Sequence, residues 1–240
     1  MLELQRKNQF FLFNFDKPQT NQECFFNPAF WQAQQRIVGS AKGRGTTWFI
    51  RSEDLIGVDA ALRHYYRGGL WGRLNKDCYR FKNLAQTRSF AEFALLNKLY
   101  QAGIPVPKPI AARVEKTPFG CYRADILTQY IKNAQDLTAL LQHADLSSEY
   151  WQSIGRLIRR LHDVQICHTD LNAHNILAQR ADNRITFWLL DFDKCGEKAG
   201  NGWKRENLRR LHRSFVKETL RMRIRFNEDN WADLLAGYRQ

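Results

Sequence analysis

The stretch "ICHTDLNAHNILA", residues 166–178, sets His168, Asp170, Asn172, His174 and Asn175 between apolar ends. A buried Asp or Asn without a partner costs a few kcal/mol. A segment whose flanks look like core is therefore either an exposed loop without a role or a loop whose polar groups hold something. Its surroundings favour the second. Upstream, "SEYWQSIGRLIRRLHDV" (148–164) puts Trp151, Ile154, Ile158 and Leu161 on one face at helical spacing. Downstream, Ile176, Leu177 and Ala178 lead through the turn "ADNR" into the apolar run "ITFWLLDF" (185–192). The two runs can pair as a hairpin.

That hairpin brings a second carboxylate, Asp191, back beside the loop. Asp170 and Asn175 stand five residues apart within it. Asp170, Asn175 and Asp191 are hard oxygen donors suited to Mg²⁺, which binds few protein ligands and completes its shell with water and phosphate oxygens. One carboxylate can orient an acceptor hydroxyl while Asn175 and the other carboxylate hold the metal. This is the arrangement that phosphoryl transfer from ATP requires. A zinc site from His162, Cys167, His168 and His174 is the competing reading, but the spacing matches no common zinc pattern.

"HTDLNAHN" (168–175) resembles the protein-kinase catalytic loop H-R-D-L-x-x-x-N, with Thr169 in place of the arginine, and "DFD" (191–193) resembles D-F-G with its glycine replaced. Either match alone is weak; both in order, across an expected hairpin, are fairly specific. The resemblance implies an α+β, protein-kinase-like bilobal fold, with a β-rich N-lobe over 1–127 and a short, mainly helical C-lobe over 128–240. The lobe boundary is expected near residues 128–132. His168 is expected to brace the loop, and Asp193 is a secondary candidate beside the metal.

The first part of the chain offers the nucleotide-facing pieces. "FFLFNF" (10–15) reads as a strand followed by a turn at Asp16, Lys17 and Pro18, and "NPAFWQAQQ" as a short helix. "RIVGSAKGRGTTWFI" (36–50) reads as a glycine-rich hairpin, and the backbone N–H groups of Gly43 and Gly45 are candidates to approach phosphate. The spacing is not G-x-G-x-x-G, so an ordinary hairpin is the alternative. Kinases pair a strand lysine with a helix glutamate; here the strand "AALRHYY" supplies Arg63, whose fork suits phosphate, and Lys82 is a possible substitute. The helix "SFAEFALLNKLYQAG" (89–103) carries Glu92 as the partner, with Phe90, Phe93, Leu96 and Tyr100 on its apolar stripe. Ser89 with Glu92 also fits a capping box, which would explain the glutamate without any ion pair.

Composition bounds the rest. The chain has 240 residues, 44% hydrophobic, with 16 Phe and 7 Trp, which excludes a disordered chain. A net charge of +13 points to anionic partners without identifying one. The five cysteines include no C-x-x-C pair and read as free thiols. The opening residues contain no signal-peptide core, and no apolar run approaches the ~20 residues of a membrane span. The tail from Lys204 to Phe226 reads as a basic amphipathic helix or helix pair. Only residues 194–240 follow Asp193, with no A-P-E segment and no room for the helices that seat a peptide. A small-molecule or glycan hydroxyl is the expected acceptor.

Across most of the chain, the pieces "ALRHYYRGGLWGRL" (61–74), "EFALLNKLYQAGIPVPKPIAA" (92–112), "ADILTQYI" (124–131), "HTDLNAHNIL" and "LLDFDKC" (189–195) resemble the bacterial 3-deoxy-D-manno-octulosonic acid (Kdo) kinases, relatives of the lipopolysaccharide heptose kinases. This resemblance implies transfer of the ATP γ-phosphate, with Mg²⁺, to the 4-hydroxyl of a Kdo sugar on a lipid A precursor, at the cytoplasmic face of an anionic inner membrane. Asp170 would be the catalytic carboxylate, Asn175 and Asp191 the metal ligands, and Arg63 with Glu92 the phosphate clamp. Arg67, Arg73, Arg209, Arg210, Arg213 and Arg221 would meet the glycolipid or its headgroups. A heptose or other sugar kinase on the same scaffold is the alternative within enzymes. An inactive, basic nucleic-acid binder is the alternative outside them, but no aromatic-basic recognition motif supports nucleic acid as a partner.

Overall fold

The computed structural model describes residues 1–15, 21–43, 45–68, 76–182 and 184–240. The turn expected at Asp16, Lys17 and Pro18, and Arg73, lie outside the described residues. The chain forms two compact units: Met1–Asn97 with Lys108–Tyr130, and Lys98–Pro107 with Ile131–Gln240.

The first unit is built on antiparallel strands β1 (Leu2–Arg6), β2 (Gln9–Phe13), β3 (Ile37–Lys42), β4 (Thr46–Ile50), β5 (Ala60–His64), β6 (Tyr79–Arg80), β7 (Pro109–Thr117) and β8 (Cys121–Gln129). They lie in the order β1-β2-β7-β8-β5-β4-β3, with β6 also on β8. The alternating aromatics of β2 send Phe11 and Phe13 into a cluster with Phe25, Phe26, Trp31, Ile50, Leu62 and Leu127. Each such side chain contributes roughly 1.5–3 kcal/mol on burial. A short helix, α1 (Pro28–Ala33), is opened by Pro28 and by the Asn27 side chain, which accepts the Ala29 N–H. The one-turn helix α2 is Glu53–Ile56.

Helix α3 (Arg88–Gln101) starts one residue before the expected position. Phe90, Phe93 and Leu96 are buried as the helical spacing predicts, but Tyr100 is 44% exposed and Leu99 takes the inner position. Gly103 closes the helix at a left-handed φ of 69°. The division between units falls inside this helix. Residues 98–107 belong to the second unit although their place in the chain precedes strands of the first. They are tied there by backbone pairing of the Leu189 N–H with the Pro105 carbonyl.

The second unit carries β9 (Ala134–Asp136), α4 (Leu137–His143), α5 (Ser148–Asp163), β10 (Ile166–Cys167), β11 (Ile176–Ala181), β12 (Arg184–Leu189), β13 (Gly196–Glu197), α6 (Gly202–Met222) and α7 (Glu228–Arg239). Its core forms around α5, whose Trp151, Ile154, Ile158 and Leu161 are fully buried. Trp151 meets Phe215 of α6 edge-on at 5.4 Å. Helices α5 and α7 approach closely because glycine faces backbone at both contact points. A Cβ at Gly155 would overlap the Leu234 carbonyl, and one at Gly237 the Gln152 carbonyl. The β11–β12 hairpin pairs in register from Ile176 opposite Leu189 to Ala181 opposite Arg184. The cysteines are free thiols.

Candidate active site

The loop between β10 and β11 is organised by its own polar side chains. Asn172 accepts the His174 and Asn175 N–H groups at 2.9 and 3.1 Å, and its amide donates to the Asp170 carbonyl at 2.9 Å. Asn175 donates from Nδ2 to the same carbonyl at 2.9 Å. The Asn175 carbonyl in turn accepts the Leu190 N–H at 2.9 Å. Two hydrogen bonds thus connect Asp170 to Asn175 and Asn175 to the residue before Asp191. The hairpin register makes this closure possible, since Ile176 lies opposite Leu189.

His168 fastens the same junction from beneath. It is fully buried, and its Nε2 donates to the Leu190 carbonyl at 2.8 Å. Burial lowers its pKa, so the ring is neutral and Nδ1, which has no partner, carries no proton. Thr169, where protein kinases have arginine, donates its N–H to the Cys195 sulfur at 3.3 Å. Asp191 leaves the strand in a left-handed conformation, φ 60°. For a residue with a side chain this stores about 1 kcal/mol or more. His162 and His174 are engaged elsewhere: His162 with Tyr238 and Asn207, His174 with Thr138. Among the described residues no group of three His, Cys, Asp or Glu side chains has metal-binding geometry, so the zinc reading is set aside.

The donor set fits Mg²⁺. With Asn175 Nδ2 committed to the Asp170 carbonyl, its Oδ1 is the oxygen left to bind a cation, and Asp191 adds a charged one one residue beyond the shared backbone bond.

Helix α6 supports the loop with a polar stripe, of which only Arg210 stood out in the sequence. Asn207, itself buried, donates from Nδ2 to the His168 carbonyl at 2.7 Å. Ser214 Oγ accepts the Ala173 N–H at 3.1 Å. Between them, Arg210 pairs through Nη2 with Asp170 Oδ1. The spacing of 207, 210 and 214 among Trp203, Leu208, Leu211 and Phe215 is the one signal that marks these polar residues as facing inward. Asn207 also accepts from His162 Nε2 at 3.0 Å, and His162 Nδ1 meets the Tyr238 hydroxyl at 2.8 Å. A buried relay therefore runs from α7 through α5 and α6 to the loop. Burial holds His162 down at a pKa of about 4, so it is neutral at physiological pH.

In the first unit, Arg63 on β5 lies opposite Thr47 and Ile126 in the sheet. Its Nη2 donates to Glu92 Oε1 and Oε2 at 2.6 and 2.7 Å, and Tyr65 donates to Oε2 at 2.6 Å. Burial, then the Glu92 charge, pushes the Tyr65 phenol well above its ordinary pKa, so it remains a donor. The capping-box reading of Ser89 and Glu92 is overturned. Ser89 lies inside the helix and donates to the Arg113 carbonyl at 2.9 Å, and the Glu92 carboxylate is taken by Arg63 and Tyr65. The Glu92 side chain is 3% exposed and that of Arg63 29%, so the pair keeps one edge open to water. Lys82 is exposed.

Gly43 and Gly45 lie at the turn end of the β3–β4 hairpin, and the expectation for Gly43 needs correcting. The Gly43 N–H donates to the Gly45 carbonyl at 2.8 Å and is not available to phosphate. A Cβ at Gly45 would overlap the Tyr66 ring, so packing already accounts for that glycine. Around Gly43 the space is open.

Comparison with known proteins identifies the family. Residues 28–238 match the family described as Lipopolysaccharide kinase (Kdo/WaaP). A protein of Mannheimia succiniciproducens named 3-deoxy-D-manno-octulosonic acid kinase is 69% identical over 238 residues, 99% of each chain. Proteins of the same name from Haemophilus influenzae and Pasteurella multocida are 64% and 59% identical, over 100% and 99% of each chain. Among solved structures, WaaP in complex with acyl carrier protein superposes with a TM-score of 0.59 at 13% identity, covering 93% of this chain and 88% of that one. The fold is thus the α+β, kinase-like one, and at such identities over nearly the full length the chain belongs to the lipopolysaccharide kinase (Kdo/WaaP) family.

Proposed function

We propose that this chain transfers the γ-phosphate of ATP to the 4-hydroxyl of a 3-deoxy-D-manno-octulosonic acid sugar on a lipid A precursor. It is a kinase by family, and its full-length relatives carry the name of that sugar's kinase. The observation that carries the catalytic part is the double tie of Asn175, to the Asp170 carbonyl and to the Leu190 N–H.

Asp170 accepts, or orients, the proton of the acceptor hydroxyl as that oxygen attacks phosphorus. Asn175 Oδ1 and the Asp191 carboxylate hold Mg²⁺, which neutralises charge on the ATP phosphates when bound. Arg63 steadies phosphate oxygens through its fork, and Glu92 fixes the direction in which the guanidinium points. The acceptor is an acid on a phosphorylated glycolipid, and a chain with net charge +13 attracts such a partner. Arg67, Arg209, Arg213 and Arg221 meet the glycolipid and the anionic headgroups around it, at the cytoplasmic face of the inner membrane. Among the described residues no helix is long and apolar enough to cross a membrane.

The test is to incubate the purified protein with labelled ATP, Mg²⁺ and a Kdo-bearing lipid A precursor, beside a heptose-bearing acceptor, and to locate new phosphate by mass and NMR. Phosphate on the 4-hydroxyl of the Kdo sugar is expected. Phosphate only on the heptose acceptor, or on neither, contradicts the reading.

A further inference from the structure

Arg210, grouped by sequence with the arginines expected to meet the glycolipid, has a more specific position in the structure, paired with Asp170. It sits on α6 between two anchors, Asn207 on the His168 carbonyl and Ser214 on the Ala173 N–H. These lie on either side of Asp170 in sequence, so the helix is fixed against the loop and the guanidinium is fixed beside the Asp170 carboxylate. An arginine carries five N–H donors. Only Nη2 is engaged, on Asp170 Oδ1; among the described residues the other donors of Arg210 have no protein partner. The two side chains are about equally open, 47% for Arg210 and 49% for Asp170, so an acceptor reaching one reaches the other.

A permanent cation beside the proton-accepting carboxylate suits an acceptor with an anion close to its reacting hydroxyl. The proposed acceptor has that shape. In a 3-deoxy-octulosonic acid the acid group is carbon 1 and carbon 3 bears no hydroxyl, so the 4-hydroxyl is the ring hydroxyl nearest the carboxylate. We infer that Arg210 is the specificity-determining residue of the acceptor site: its unused guanidinium edge binds the sugar carboxylate while Asp170, held by the opposite edge, receives the adjacent hydroxyl. The inference rests on the acceptor assignment made above. It singles out Arg210 from the exposed arginines of α6: Arg209 and Arg213 pair with Glu206, not with the catalytic loop.

The experiment measures kcat and KM with the acid acceptor and with the same acceptor converted to its carboxamide, for the full-length wild type, Arg210→Gln, Arg210→Lys and the charge control Arg180→Gln, which alters an exposed strand residue. A charge-assisted contact of this kind gives about ten- to hundredfold preference. The wild type and Arg180→Gln should prefer the acid by that factor, expressed mainly in acceptor KM. Arg210→Gln should lose the preference, and Arg210→Lys should keep part of it. If Arg210→Gln turns over too slowly, calorimetric titration of both acceptors without nucleotide reads the same preference. An acid-to-amide ratio unchanged in Arg210→Gln, a wild type indifferent to the conversion, or a loss appearing only in the KM for ATP overturns the inference. Wild-type inactivity on the acid acceptor would instead remove the acceptor assignment itself.

Discussion

Acidification should loosen this protein through one buried ring, His162. Its Nε2–H donates to Asn207 Oδ1, and its Nδ1 accepts from the Tyr238 hydroxyl. A second proton on Nδ1 would end its role as acceptor from Tyr238 and place a charge on a ring that is itself fully buried. Burial accordingly lowers the folded pKa from 6.5 to about 4. Above pH 6.5 the ring is neutral in both folded and unfolded chains and stability is unaffected. Between pH 6.5 and about 4 the unfolded chain takes the proton and the folded chain resists it, so stability falls with pH. At 1.36 kcal/mol per unit the total is about 3 kcal/mol, of which about 2 kcal/mol is gone by pH 5. That is a large part of a typical folding free energy of roughly 5–15 kcal/mol. The assay is urea unfolding at pH 7, 6 and 5 for wild type and His162→Gln. The variant starts less stable, because it breaks the relay, but has nothing to titrate there. Carboxylates and His168 titrate in both proteins and cancel in the comparison. The wild type should lose about 2 kcal/mol more than the variant between pH 7 and 5. Parallel losses would refute the account of His162 as a neutral, buried link.

Other consequences can be checked separately. Glu92→Ala leaves Arg63 and the Tyr65 hydroxyl without their shared partner. It should cost about 2–3 kcal/mol by denaturant unfolding, the low side for a buried pair because Arg63 reaches water, and should raise the KM for ATP. Asp191→Asn keeps the shape but removes the charge of one metal donor, so the Mg²⁺ concentration for half-maximal activity should rise at least about tenfold, and chelation should stop transfer by the wild type. Gly155→Ala drives a methyl group into the Leu234 carbonyl where α5 meets α7; a loss of about 2–3 kcal/mol and a lower Tm should follow, read by calorimetry.

The polar organisation of the loop between β10 and β11 was legible in the sequence because its contacts are local. Asp170, Asn172 and Asn175 act within six residues, and a hairpin of set register returns Asp191 to them. The inner face of α5 was equally plain, since apolar side chains at helical spacing have few other uses. What escaped depended on contacts distant in sequence. The Ser89 and Glu92 spacing imitates a capping box, and only the fold decides in favour of the Arg63 pair that the sequence also offered. The anchoring role of Asn207 and Ser214 depends on the partner they face. Strand β1 is mostly exposed, and its alternation of Leu2 and Leu4 with Glu3 and Gln5 is too short to announce a strand. The glycines of the β3–β4 hairpin suggested a phosphate loop because glycine permits close approach, yet Gly45 is accounted for by the Tyr66 ring.

Asp170, the carboxylate proposed to handle the acceptor proton, is the residue on which the proposed transfer most depends. Single-turnover transfer of labelled γ-phosphate should be measured for wild type and Asp170→Ala, with MgATP affinity and thermal unfolding followed in the same preparations. Transfer should fall by a factor of about a hundred or more, while nucleotide binding and the folded state persist. Asp170→Ala transferring phosphate at the wild-type rate would contradict that role.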